Sequence, residues 1–337
     1  MNMKAVVYSE YGPPEVLHVE EVVPPIPGDD ELLIRVRAAE ATKADCEMRG
    51  FDFQVKWFMP TLRVMLGLFR PRKRILGGYF AGEVEAVGKE VTRFSKGDSL
   101  FGSTKLRLGA YGEYLTLPQH YTLGRMPGNI SYAEAAAVPL GGLNALHFMR
   151  KAGIEPGERV LVNGAGGSIG TFGVQIAKTM GAEVTAVDSG IKEEMLREIG
   201  ADHFIDYTRE DFTATGQSYD VIFSMVAKTP FTKCIKLLNK NGRYLMANPR
   251  VSDMLRSIMV SRFSDKRAMF AFAGETEEEL NSLKEMIEAG EIRPTVDRIY
   301  PMEEAVEAHH RVESEQRLGS IVITLTQNSK LKTSRSH

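Results

Sequence analysis

The stretch Arg159-Val-Leu-Val-Asn-Gly-Ala-Gly-Gly-Ser-Ile-Gly170 decides the fold of this chain, together with Val184-Thr-Ala-Val-Asp188. Each begins with an apolar run of strand character; the first run ends in a glycine-rich turn and the second in an acid. Between them, Ser168–Met180 carries apolar residues at helical spacing. A strand, a glycine-rich turn, a helix and a second strand ending in an acid form the layout of a dinucleotide-binding βαβ unit.

The glycine-rich turn is the candidate phosphate cradle. Phosphate binding needs backbone N–H groups that face an anion without Cβ atoms in the way, and a helix N-terminus adds a favourable dipole. Asp188 follows Gly170 by 18 residues and would accept hydrogen bonds from ribose hydroxyls, which favours NAD. Lys192 could instead attract a 2′-phosphate, or it could be a solvated residue at the start of a helix. The candidate cofactor-binding residues of these two turns are Asn163, Gly164, Ala165, Gly166, Gly167, Ser168, Ile169, Gly170, Asp188, Ser189 and Lys192.

Composition excludes several classes of protein. The formal net charge of −2 gives no bulk attraction to nucleic acid. Two cysteines cannot build a disulfide framework and fit the reducing cytoplasm. The sequence holds no uncharged apolar run of about 18 residues, so we expect no membrane span.

The pattern of apolar residues in the sequence changes near residue 130. Residues 1–125 are rich in β-branched and aliphatic runs separated by Gly and Pro, which predicts a β-rich unit. After residue 130, short apolar strands alternate with helical patterns. Such alternation predicts an α/β fold with a parallel sheet and helices on both faces. A last strand at Ile321–Leu325 is expected to return to the N-terminal unit.

Motifs along most of the chain resemble the medium-chain dehydrogenase/reductase superfamily, and within it the zinc-independent quinone oxidoreductase branch. The resemblance implies a GroES-like catalytic domain over residues 1–125, completed by about 272–337, and a Rossmann domain with a doubly wound parallel sheet over 126–271. It also implies a homodimer. The motifs that carry it are Tyr11-Gly-Pro-Pro-Glu-Val-Leu17, Phe94-x-x-Gly-Asp98, Gly109-Ala-Tyr-Gly-Glu-Tyr114, Ala135-Ala-Ala-Val-Pro139 and Gly200-Ala-Asp-His-Phe-Ile-Asp-Tyr207.

The positions of the superfamily's zinc ligands hold other residues. Thr42 stands where the alcohol dehydrogenase branch has a cysteine, and Gly78 and Tyr79 stand where it has histidine and glutamate. A structural zinc site would need four cysteines. We therefore expect no metal. The pair His309-His310, in a charged run of helical character, is expected at the surface.

Without zinc, hydrogen bonds must polarise the carbonyl that accepts a hydride. The candidate catalytic residues are Thr42 and Tyr79 as donors, with Asp45 or Glu47 orienting them or relaying a proton through water. Each has a structural alternative: Thr42 as a turn residue, Tyr79 as packing and Asp45 as a helix cap. Cys46 is expected to be a buried apolar residue rather than a nucleophile.

The resemblance also implies cofactor contacts outside the glycine-rich turn. Lys192 and Tyr207 resemble the 2′-phosphate contacts of NADPH-dependent quinone reductases, which favours NADPH and leaves NADH possible because of Asp188. The further contacts implied are Met225, Val226, Asn248, Pro249, Phe270, Phe272, Arg317 and Gly319.

The segment 51–76 combines many large apolar residues with the basic run Arg70-Pro-Arg-Lys-Arg74. It could be an apolar lid for bulky enones or quinones, a membrane-surface contact, or part of the core or a dimer interface.

The resulting functional hypothesis is an NAD(P)H-dependent oxidoreductase that reduces quinones or α,β-unsaturated carbonyl compounds without zinc. Its partner would be a small hydrophobic carbonyl or quinone substrate. The alternatives are an NAD(P)-dependent alcohol or aldehyde dehydrogenase and a non-catalytic NADPH-binding protein.

Overall fold

Two sheets form the core of the protein in a computed structural model that describes residues 2–53, 64, 66–271 and 275–325. The first is a six-stranded sheet in the order β10-β9-β8-β11-β12-β13, in which every neighbouring pair is parallel. This order, with its reversal between β8 and β11, is that of a doubly wound dinucleotide-binding sheet. Its strands are β8 Arg159–Asn163, β9 Glu183–Asp188, β10 His203–Asp206, β11 Tyr219–Ser224, β12 Leu238–Met246 and β13 Arg267–Phe270.

The second sheet is mostly antiparallel and has the order β14-β15-β3-β4-β5-β7, with β6 paired to β3. The predicted return of the last strand to the N-terminal unit is confirmed, because β15 pairs with β3. A separate hairpin joins β1 and β2. The strands are β1 Met3–Val7, β2 His18–Val22, β3 Glu31–Ala41, β4 Tyr79–Val87, β5 Ser99–Ser103, β6 Tyr114–Pro118, β7 Leu123–Arg125, β14 Val296–Pro301 and β15 Ser320–Thr324.

Helices cover both faces of the parallel sheet, as predicted. Val160 and Val162 of β8 pack into one apolar cluster with the helices that precede and follow that strand. Leu161, on the opposite face, packs into another cluster with Phe231. Alternate residues of a strand point to opposite faces, so both faces are buried. The helices described are α1 Lys43–Gly50, α2 Tyr132–Ala136, α3 Val138–Ala152, α4 Ser168–Thr179, α5 Glu193–Glu198, α6 Phe231–Leu237, α7 Val251–Phe263, α8 Glu277–Glu288 and α9 Ala305–Glu313.

The glycine-rich turn lies against the β-rich unit. The backbone N–H of Gly319, just before β15, donates to the carbonyl of Gly166 at 3.0 Å. Gly319 has φ +97°, and a Cβ there would stand 2.3 Å from the carbonyl oxygen of Thr295. A residue without a side chain is therefore needed where the two units meet.

Part of the apolar segment 51–76 lies outside the described residues, namely 54–63 and Met65, and so does Phe272. Within the described part, Phe53 is buried, whereas Leu68 and Phe69 are exposed. Among the described helices, none is long and apolar enough to cross a membrane.

The expectation that His309 lies at the surface is wrong. Its side chain is fully buried in α9, where Nδ1 lies 3.1 Å from Arg49 Nη1 and 3.4 Å from Cys46 Sγ. Since the guanidinium can only donate to Nδ1, the imidazole proton sits on Nε2, 3.1 Å from the hydroxyl of Tyr111. Burial lowers the pKa of His309 to about 3, so the ring stays neutral at physiological pH. His310, by contrast, is exposed and pairs with Glu15.

These two neighbouring histidines give a matched pair for a stability test. We expect His309→Ala to lower the free energy of unfolding by about 3 kcal/mol, because it opens a cavity in the core and removes the hydrogen-bond partner of the buried Arg49 Nη1 and one partner of the Tyr111 hydroxyl. His310→Ala, which removes only a surface ion pair, should change it by less than about 0.5 kcal/mol. Urea unfolding of both variants measures the difference. Equal effects of the two substitutions would contradict the buried network.

Candidate cofactor and active-site cleft

A cleft of about 700 Å³ opens between the two units. Its walls are the carboxyl ends of β8 and β11, where Asn163 and Met225 lie, and the end of β3 with Ala41 and Thr42. In doubly wound sheets, ligands bind outside the carboxyl ends of the strands where the strand order reverses. The cleft occupies this position, and its volume suits a small-molecule ligand.

The glycine-rich turn presents the start of α4 to this cleft. No side chain of the described residues caps that helix, whose N-cap is Gly167. The first amides of a helix lack partners within it, so they remain available to an anion. A Cβ on Gly170 would stand 2.3 Å from the carbonyl oxygen of Gly164 and 2.5 Å from that of Ala165, which is closer than real Cβ contacts allow. The turn therefore fits a dinucleotide diphosphate.

The Asp188 carboxylate lies on the cleft wall and already has partners within the protein. Its carboxylate accepts hydrogen bonds from the backbone of Gly166 at 2.7 Å and of Ser189 at 2.8 Å. The Lys192 ammonium lies 2.9 Å from Asp188 Oδ1, and both side chains are less than a tenth exposed. The alternative of a solvated Lys192 is therefore wrong. Because the ammonium neutralises the carboxylate, Asp188 repels a 2′-phosphate less than the sequence alone indicated.

Most of the predicted cofactor residues line this one cleft. Two side-chain amides also join neighbouring strand ends: Asn163 donates to Ser224 and Thr229, and Asn248 donates to the carbonyl of Met225. Five of the predicted residues that the structure describes are not among those that line it: Ala165, Gly166, Ser189, Phe270 and Gly319. The predicted residues on its wall are Asn163, Gly164, Gly167, Ser168, Ile169, Gly170, Asp188, Lys192, Tyr207, Met225, Val226, Asn248, Pro249 and Arg317.

The Thr42 and Asp45 side chains form the cap of α1. Thr42 Oγ1 donates to Asp45 Oδ2 at 2.6 Å and accepts from the Asp45 backbone at 3.1 Å. Asp45 also accepts from the backbone of Thr42 and of Gly77. Burial raises the pKa of Asp45, and these hydrogen bonds partly offset that effect. The structural alternative for Asp45, a helix cap, is what the geometry shows. Thr42 lines the cleft, but its hydroxyl proton points to Asp45.

Of the two other candidate catalytic residues, Glu47 lines the cleft and Tyr79 does not. The Tyr79 hydroxyl donates to Glu275 at 2.9 Å, and burial is the main cause that raises its pKa. Tyr79 is not among the residues that line the cleft, whereas Glu47 is. The geometry thus brings Thr42 and Glu47 to the cleft wall and directs the Tyr79 hydroxyl to another partner.

Three polar side chains of the cleft were missed in the sequence. Lys43, at the start of α1, and Glu315, just after α9, form an ion pair on the cleft wall. Glu40, near the end of β3, lies buried on the cleft wall beside Ser168. A carboxylate inside the otherwise small and apolar run Ala38-Ala-Glu-Ala41 was the available signal for Glu40.

The positions that correspond to zinc ligands carry no ligand atoms suited to zinc. The Thr42 side chain is committed to the cap of α1, and Gly78 has no side chain. Within the described residues, no group of three or more His, Cys, Asp or Glu side chains is placed to hold a metal ion.

Comparison with known proteins gives the family. Residues 28–140 match the alcohol dehydrogenase GroES-like domain, and residues 199–323 match the zinc-binding dehydrogenase domain. The chain is 30% identical to a quinone oxidoreductase of Lama guanicoe, over 96% of this chain and 98% of that protein. It belongs to the medium-chain dehydrogenase/reductase superfamily, in its quinone oxidoreductase-like branch.

Two further proteins are similar to this medium-chain reductase over most of its length. It is 29% identical to an NADPH-dependent alkenal/one oxidoreductase of Arabidopsis thaliana, over 96% of this chain and 79% of that protein. The solved quinone oxidoreductase of Coxiella burnetii matches it with a TM-score of 0.85 and 26% identity, over 97% of this chain and all of that one. The predicted fold, a GroES-like unit with a Rossmann unit, is thus confirmed, and the protein is an oxidoreductase of this branch.

Proposed function

We propose that this protein transfers a hydride from NADPH to quinones or α,β-unsaturated carbonyl compounds without a metal ion. The observation that supports the proposal most is the cleft itself. It joins an uncapped helix N-terminus to the end of β3, so a dinucleotide bound there would run from one unit to the other. The names of the quinone and alkenal/one oxidoreductases that it resembles indicate the substrate class.

The charges on the cleft wall favour NADPH over NADH. Lys192 neutralises Asp188 and stands on the cleft wall together with Tyr207. An ammonium and a phenol hydroxyl both donate hydrogen bonds to a phosphate. NADH would find the Asp188 carboxylate already engaged, so it would gain less from its free ribose hydroxyls.

The residues of the chain have separate tasks in this proposal. The amides at the start of α4 would hold the diphosphate, and Asn163 and Asn248 fix the strand ends that would support the nicotinamide. When bound, the cofactor supplies the hydride. Thr42 stands on the opposite wall; rotation of its hydroxyl alone would turn the proton from Asp45 to a carbonyl oxygen, at the cost of one hydrogen bond. Apolar side chains that line the cleft, such as Phe53 and Met225, would exclude water from it.

A substrate panel tests the proposal. We expect purified protein to oxidise NADPH with 1-octen-3-one or 9,10-phenanthrenequinone, at a rate that a chelator such as EDTA leaves unchanged. Oxidation of simple alcohols with NADP⁺ should be absent, because the chain lacks zinc ligands at Thr42 and Gly78. The readout is NADPH absorbance.

Two outcomes of this panel would contradict the proposed function, and each indicates a different alternative. Alcohol oxidation that a chelator abolishes would show a metal-dependent dehydrogenase. Tight NADPH binding without turnover on any member of the panel would show a binding protein.

A further inference from the structure

Glu40 is a buried acid at the junction of the two units. Its side chain is 1% exposed. Oε1 accepts a hydrogen bond from Ser168 Oγ at 2.6 Å, whereas Oε2 has no hydrogen-bond partner among the described residues. Buried polar atoms almost always have partners, so an orphan oxygen on a cleft wall requires an explanation.

The neighbours of Glu40 connect it to the proposed cofactor site. Ser168 is the first residue of α4, whose N-terminus faces the cleft. Ser168 Oγ lies 3.0 Å from the hydroxyl of Ser320, the first residue of β15. Glu40 therefore stands under the same helix end that would hold the diphosphate, and it lines the same cleft.

Few charged groups of the described residues lie close enough to Glu40 to affect its pKa. The Ser168 and Ser320 hydroxyls and the Arg317 guanidinium lower the pKa of Glu40, and the Asp45 carboxylate of α1 raises it. The hydroxyls of Tyr79 and Tyr111, from β4 and the loop before β6, also interact with Glu40 electrostatically, and both have pKa values well above 10, so they stay neutral near pH 7. Burial is the largest influence and raises the pKa of Glu40 to about 7.

Two anions cannot share this helix end without cost. The dipole and free amides of α4 favour one negative group there. A dinucleotide diphosphate carries two negative charges. If Glu40 were ionised, the diphosphate and the Glu40 carboxylate would repel each other, and this repulsion is strong because water is largely excluded there. Protonation of Glu40 removes this repulsion and turns the orphan Oε2 into a donor.

We propose that Glu40 takes up a proton from solvent when the dinucleotide binds, so that cofactor affinity falls as pH rises through neutrality. This inference rests on the proposed function, because it requires a dinucleotide at the start of α4. By linkage, if binding favours the protonated form, the dissociation constant rises where the free protein loses that proton.

Titration calorimetry with NADH in buffers of different ionisation enthalpy counts the protons directly. NADH is the probe because the 2′-phosphate of NADPH itself titrates near pH 6. We expect net uptake of a fraction of a proton per NADH at pH 7, and a dissociation constant that rises roughly fivefold to tenfold between pH 6 and pH 8.

The variants isolate Glu40. Glu40→Gln mimics the neutral acid. In this variant we expect no proton uptake, and the dissociation constant for NADH should vary by less than about twofold between pH 6 and pH 8. If that variant does not fold, Glu40→Ser should lose the uptake in the same way. Glu307→Gln removes an exposed carboxylate of α9 and should behave like the unchanged protein.

The outcomes separate the two proposals. Measurable NADH binding without proton uptake, or uptake that persists in both Glu40 variants, would overturn the role of Glu40 and leave the cofactor site standing. Absence of both NADH and NADPH binding at every pH would overturn the proposed function, and the inference about Glu40 with it.

Discussion

Replacement of Gly170 by alanine is expected to abolish dinucleotide binding and to lower the free energy of unfolding by about 3 kcal/mol. The new methyl group would stand 2.3 Å from the carbonyl oxygen of Gly164 and 2.5 Å from that of Ala165. Both atoms belong to the backbone of the turn, so they cannot give way as a flexible side chain can. Either the turn opens or α4 moves, and in both cases its first amides leave the position that faces the cleft.

Gly173, one turn further along α4, provides the control. A Cβ there would meet the ring of Phe223 at 3.4 Å, which is an ordinary contact. Alanine is favoured over glycine inside a helix by about 1 kcal/mol, so Gly173→Ala should fold and bind as before. Urea unfolding and NADPH fluorescence measure the two properties. Wild-type affinity in Gly170→Ala would show that the diphosphate does not depend on this turn.

Replacement of Lys192 by alanine is expected to weaken NADPH binding roughly 30-fold and NADH binding much less, which corresponds to the loss of a charge-assisted hydrogen bond. The substitution also leaves the Asp188 carboxylate on the cleft wall without its counter-ion. An unpaired carboxylate repels a 2′-phosphate and accepts hydrogen bonds from free ribose hydroxyls. The preference should therefore move toward NADH.

The control for this prediction is Lys178→Ala. Lys178 lies on α4 and pairs with Asp202, and it is not among the residues of the cleft. Its removal should leave the ratio of the two dissociation constants unchanged. Competition titrations with NADPH and NADH give that ratio for each variant. An equal loss of both cofactors in Lys192→Ala would mean that Lys192 only supports the fold.

The sequence predicted those parts of the fold that local patterns determine. The strand, turn and helix around Gly170 were visible because glycine spacing and apolar periodicity occur within one short stretch. The strand at 321–325 was visible as an apolar run. Predicted strand ends were less accurate: the last strand, expected over Ile321–Leu325, spans Ser320–Thr324, since its pairing with β14 begins at Ser320.

The cap of α1 was readable in the sequence, whereas the burial of His309 was misjudged. Thr42 and Asp45 have the spacing of a capping box and form one, as the structural alternative for Asp45 predicted. The catalytic role of Thr42 is a separate prediction. Helical periodicity places His309 on the same face as Ala305, Ala308 and Val312, which are buried, and His310 on the other face. The charge of the run had suggested that both were exposed.

Other features of the site lie beyond sequence reasoning because they depend on distant partners. Glu40 meets Ser168, 128 residues further along the chain, and Ser168 meets Ser320, another 152 residues on, only after the two units pack together. The pairing of Asp188 with Lys192 is local, yet its burial depends on how the turn closes over Gly166, whose missing Cβ leaves room for the lysine stem.

The most direct test of metal-independent hydride transfer follows the hydride itself. The protein is incubated with NADPH that carries deuterium on the transferring face of the nicotinamide ring, with 1-octen-3-one and EDTA, and the product is analysed by mass spectrometry. We predict a saturated ketone that carries the deuterium at the carbon β to the carbonyl. Product without deuterium, or product formed only when EDTA is omitted, would contradict metal-independent hydride transfer from the cofactor.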